Sequence, residues 1–248
     1  MKRMFTAIFS LAVLATVSVS VRAQSSSRDD ILKDMAAKRA ELQRLEDQFL
    51  APAEEDRAAY KEFLAQPDTG LIRLLPRDVY DSEVYNKSQK TLTIRGGGAF
   101  YSFARLTHEY GLGSDLMLEV GYLSVASAGA DYGMMIDLGD ISLDEITKDY
   151  PAALSLADYA VAKDEPQARV EQHQVQIGRI LDGATYKDRV PVKIGTTFLL
   201  RSINYDDSDV LVAFHTVRQD TDGSVIIAWK LLKRFPKPEL VRAVQAAN

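Results

Sequence analysis

The chain has 248 residues, 30 of them basic and 35 acidic, a net charge of −5 and no cysteine. That length allows one large or two modest hydrophobic cores. The acidic balance argues against nucleic acid or anionic headgroups as partners, and the missing cysteines rule out disulfides, thiol nucleophiles and thiolate metal sites.

Residues 1–23 read as a secretory signal peptide. Lys2 and Arg3 precede an apolar run that ends in Val21-Arg22-Ala23, so cleavage is expected after Ala23. Cleavage would remove three basic residues and no acid, leaving 27 basic against 35 acidic residues and a net charge of −8. A cysteine-free exported chain points to a bacterial periplasm or the cell exterior, with no membrane span left after cleavage.

Residues 24–67 form a helical lead-in, charged and free of glycine. Ser27 with Asp30 resembles a capping box at its start. Ile31, Met35, Lys38, Leu42, Leu45 and Phe49 step by four and three, a heptad seam with one miss at Lys38. The seam suits either a short coiled coil, giving a homo-oligomer through residues 28–50, or a helix lying on its own domain. Pro52 interrupts, and a second short helix runs to Pro67.

Residues 68–235 are expected to be a β-rich domain. LIRLL before Pro76 reads as a strand. Residues 91–138 hold more than half of the fourteen glycines. Gly96-Gly97-Gly98, between the apparent strands TLTI and AFYSFARL, predicts a tight turn or bulge, since glycine reaches positive φ without a Cβ clash. An anion cradle would need a following helix and a lysine, which are lacking. Alternation in AFYSFARL sets Tyr101, Phe103 and Arg105 on one face. With Arg95, His108 and Glu109 they form the candidate binding site, where arginines beside aromatic rings could grip a sugar or an anion. DLMLEVGYLSVA reads as one longer strand and DYGMMIDL as another.

Ser142 and Glu145 predict a helix from Leu143 that stops before Pro151. Residues 169–181 alternate as a strand containing His173. Asp182-Gly183 marks a hairpin. Residues 196–205, 209–219 and 224–233 predict an antiparallel meander with Phe198, Leu200, Val212, Phe214, Ile227 and Trp229 in its core. Residues 236–248 are a tail or short helix.

The fold class expected is mainly β, an antiparallel sandwich or barrel-like meander with an N-terminal helical segment, α+β by residue count. No G-x-S-x-G elbow occurs. His108-Glu109 lacks the second histidine of a zincin, and the aspartates at 206–209 and 220–222 suit turns better than calcium. No metal and no cofactor are expected. The function expected is non-catalytic binding of a ligand or envelope protein. The alternatives are a hydrolase of extracellular or cell-wall glycans, using Glu109, Asp115 or Glu119, and a structural part of an envelope assembly.

Overall fold

The computed structural model describes residues 5–81, 92–108, 110–111 and 113–241, with side chains described from Ser27. The chain divides into two compact units, residues 1–49 and 50–248.

The first unit is helix α1, Phe5–Leu50, whose last residue belongs to the second unit. No glycine or proline interrupts those 46 residues, and Pro52 disfavours helix at the residue before it. Ser27 therefore lies inside a helix and does not begin one. Asp34 pairs with Lys38 at 2.7 Å and Glu41 with Arg44 at 2.8 Å along the exposed surface. Among the described residues, no helix is long and apolar enough to cross a membrane.

The second unit begins with two short helices, α2 (Glu54–Ala59) and α3 (Lys61–Leu64), separated by a kink at Tyr60. Strand β1 (Thr69–Leu74) and helix α4 (Arg77–Tyr80) follow. Then come β2 (Phe100–Tyr101), β3 (Leu116–Glu119), β4 (Tyr122–Val125) and β5 (Tyr132–Gly139). Helices α5 (Pro151–Asp158) and α6 (Glu165–Ile177) precede β6 (Arg179–Leu181), β7 (Ala184–Tyr186) and β8 (Arg189–Pro191). The meander β9 (Thr197–Asn204), β10 (Ser208–Gln219) and β11 (Val225–Arg234) completes the unit.

These strands build a five-stranded sheet, β1-β11-β10-β9-β5, and a four-stranded sheet, β2-β3-β4-β8; β6 and β7 form a separate hairpin. All strand pairings are antiparallel. One core lies between the two larger sheets. It joins Leu116, Leu118 and Leu123 of one to Phe198, Val212 and Trp229 of the other. The opposite face of the five-stranded sheet packs Leu199, Leu211 and Ala213 against Leu156 of α5 and Val175 of α6. The α+β sandwich is thus covered by helices on one side. All eight residues of β9 are buried, because a strand with both faces covered has no solvent side. The six core residues expected of the meander all lie in the inter-sheet core.

Other local expectations are corrected. Leu92–Ile94 are not a strand. AFYSFARL leaves β2 after Tyr101 and turns back through Phe103–Leu106, with a bridge between Ser102 and Thr107. DLMLEVGYLSVA is a hairpin, not one strand: Val120 (φ 46°) and Gly121 (φ 77°) reverse the chain between β3 and β4. The helix from Leu143 is a single 3-10 turn, although Ser142 Oγ does accept from the Asp144 amide. Residues 169–177 belong to α6, because Asp164 caps the helix by accepting from the Gln167 amide, Pro166 suits its first turn and Gly178 ends it at φ 115°. Over its described part, residues 236–241, the tail is not helical.

Candidate functional site

The triple glycine fixes the neighbourhood of the candidate residues. Gly96, Gly97 and Gly98 have φ of 74°, 60° and 75° and form one buried 3-10 turn with Arg95. A Cβ on Gly97 would stand 2.4 Å from the Tyr80 carbonyl carbon. The glycines therefore serve a left-handed turn pressed against backbone, in which Gly97 N donates to Ile94 O and the Gly96 carbonyl accepts from Ala99 N.

The six residues separate from this point. The Arg95 guanidinium lies 5.0 Å from the Tyr110 ring centre. Tyr101 and Phe103 are core residues, 5% and 0% exposed, with Phe103 5.3 Å from the Trp229 ring. Neither ring is available to a ligand, because the turn at Phe103–Leu106 folds both inward. His108 packs edge-on to Tyr101, and its Nε2 donates to the Arg73 carbonyl at 2.9 Å, a carbonyl being only an acceptor. Glu109 lies outside the described residues.

Of the five described candidates, Arg105 lines a large cleft, about 460 Å³, between the Ala128–Asp131 loop, the start of α6 and the β9–β10 turn. It pairs with Asp207 at 2.7 Å. Arg169 of α6 pairs with Glu165 at 3.1 Å and donates to the Gly129 carbonyl. Asp131 accepts from the Tyr205 amide at 2.8 Å. The cleft therefore presents two guanidinium groups already neutralised by carboxylates, suited to a polar partner of mixed charge. Arg169 and Glu165 were invisible to a strand reading of α6, although the Asp164-Glu165-Pro166 cap was legible.

The aspartates of the two turn clusters are held in pairs. Asp209 pairs with Arg201, Asp220 with Arg73 and Arg218, and Asp222 with Arg73 while accepting from Tyr80. Glu119 pairs with Arg77. Asp115 is 0% exposed. It accepts from Phe103 N at 2.7 Å and Asn204 Nδ2 at 2.9 Å, tying the 103–106 turn to β9. Burial pushes its carboxyl up to about 6 from 3.8, against the pull of hydrogen bonds from Ser202, Phe103, Ala104 and Asn204. A group so enclosed does not reach a glycan.

A pH dependence follows from that raised value. The fold favours the protonated carboxyl, so the stability it contributes is full below about 4 and is lost as pH rises through about 6. The difference amounts to about 3 kcal/mol. Urea denaturation at pH 4 and pH 7 should show this loss in the wild type and a smaller one in Asp115→Asn. Equal losses in the two proteins would contradict it.

Together these features define an antiparallel α+β sandwich with a mixed-charge cleft beside its β9–β10 turn. Comparison with protein-family models, with curated proteins and with solved structures gave no match.

Proposed function

We propose that the protein is exported to the periplasm or cell exterior and works without catalysis, as a binding or assembly component that pairs with a second copy of itself through residues 28–50. The observation that carries this reading is the seam on α1. Ile31, Met35, Leu42, Leu45 and Phe49 are 55%, 44%, 40%, 47% and 38% exposed. Large apolar side chains at alternating spacings of four and three are self-complementary between two helices, and a single polar residue in the seam, here Lys38, restricts the register. The signal-like start and the lack of cysteine support export. The Arg105 cleft offers the β-rich unit a surface for a ligand or protein partner.

The test is sedimentation of the protein recovered from the periplasm of a bacterial host. The wild type should begin at Gln24 and sediment as a dimer at about 10–100 μM, the affinity range of a modest interface. Leu42→Glu with Leu45→Glu should be monomeric with the same melting temperature. A wild-type monomer would refute self-association, and an intact Met1 on a cytosolic product would refute export.

A further inference from the structure

A second cleft, about 320 Å³, lies between the α2–α3 segment, the 3-10 turn at Leu143–Glu145 and β10. Its chemistry differs from that of the Arg105 cleft. Glu62 and Asp144 line it, no lysine or arginine does, and neither carboxylate has an ion pair among the described residues. Tyr60 and Phe63, edge to face at 6.0 Å, form its aromatic wall.

His215 supplies the fourth component, and its tautomer is fixed by elimination. Thr197 Oγ1 contacts both the Ile141 carbonyl and His215 Nδ1, the latter at 2.8 Å. The carbonyl can only accept, so the hydroxyl hydrogen goes to Ile141 and the hydroxyl oxygen accepts from Nδ1–H. Nε2 is left with its lone pair. It has no hydrogen-bond partner among the described residues, and it is not among the buried polar atoms sealed from solvent. Burial holds the imidazole below its usual pKa, with Asp140 opposing, which favours the neutral ring.

We propose that this cleft binds an organic cation, an alkylammonium or alkylguanidinium group, with Glu62 and Asp144 as counter-charges, the Tyr60 ring as a face for the cation and His215 Nε2 as a neutral acceptor. Two unneutralised carboxylates beside an aromatic ring attract a cation by charge and by the ring quadrupole. A neutral imidazole with Nε2 bare can accept from an N–H but cannot donate to an anion. One nearby cation opposes the site: Lys230 of β11 shares the sheet face of His215 and feels Asp144, although it does not line the cleft. The proposal stands apart from self-association through α1.

The test follows the His215 ring signals by NMR, assigned with His215→Gln, while agmatine, a blocked Gly-Arg-Gly peptide or butyrate is added. Both cations should produce a saturable shift and butyrate none. Tighter binding of the peptide would identify a basic protein segment as the source, and tighter binding of agmatine a free amine. Glu62→Gln with Asp144→Asn should weaken binding about tenfold or more, the scale of a lost charge-assisted contact. Lys230→Met should strengthen it several-fold, and added salt should weaken it. Absence of a saturable shift up to about 10 mM cation, equal affinity in the double carboxylate variant, or no gain in Lys230→Met would overturn the proposal.

Discussion

Arg201→Ala is expected to lose about 3–5 kcal/mol of stability. Arg201 and Asp209 are 3% and 2% exposed at their side chains. Arg201 Nε donates to Asp209 Oδ1 at 3.0 Å and Nη2 to Oδ2 at 2.8 Å, a two-pronged pair. Nη1 donates to the carbonyls of Leu156 and Tyr159 at the end of α5, at 2.6 and 2.9 Å. The guanidinium also lies 3.9 Å from the Phe235 ring centre. One side chain therefore ties β9, β10, α5 and the segment after β11 together. Alanine leaves the Asp209 carboxylate buried without its partner and leaves two helix-end carbonyls without a donor.

The size of that loss reflects the charge left behind more than the net worth of the pair. Replacing both residues, Arg201→Met with Asp209→Leu, removes the stranded charge and should cost less than Arg201→Ala alone. Urea unfolding of the two single variants and the double variant gives the coupling. A loss below about 1 kcal/mol for Arg201→Ala would mean that water enters the site and screens the carboxylate.

Gly97→Ala should lose about 3 kcal/mol or more, for two separable reasons. The first is conformational: φ of 60° costs an alanine about 1–2 kcal/mol. The second is steric: the new Cβ would meet the Tyr80 carbonyl carbon at 2.4 Å and the Asp81 amide nitrogen at 2.5 Å, both backbone atoms that a rotamer change cannot move. Gly183→Ala supplies the control. Gly183 has φ of 79°, and a Cβ there would meet nothing within 4 Å, so it should show the conformational part alone. Thermal melting of both variants makes the comparison. Equal losses at the two positions would show that the 95–98 turn relaxes away from α4 without penalty.

Parts of this fold were legible because their signals are local. Asp182-Gly183 gives a hairpin wherever it falls between strand-forming residues, and Asp182 (φ 47°) and Gly183 (φ 79°) take the left-handed pair that the turn demands. The β3–β4 hairpin was hidden because its left-handed pair begins with Val120, a β-branched residue that such a position disfavours. Residues 169–177 alternate by composition, yet the cap at Asp164 and the stop at Gly178 outweigh that pattern. Among the described residues of the candidate site, Arg105 is the one that lines a cleft. Its partner Asp207 is 102 residues away in sequence, a distance at which no spacing rule applies.

The amino-acid sequence by itself determined the meander, its six core residues and the seam on α1, because period-two and heptad patterns state directly which side of an element is apolar. Tertiary structure decided which groups meet. Tyr101 and Phe103 turned inward when the chain reversed at 103–106, Asp115 was sealed beneath them, and Glu62, Asp144 and His215 came to share one cleft. Those outcomes depend on how sheets and helices close over one another, and burial and charge pairing across that distance leave no periodic trace in the chain.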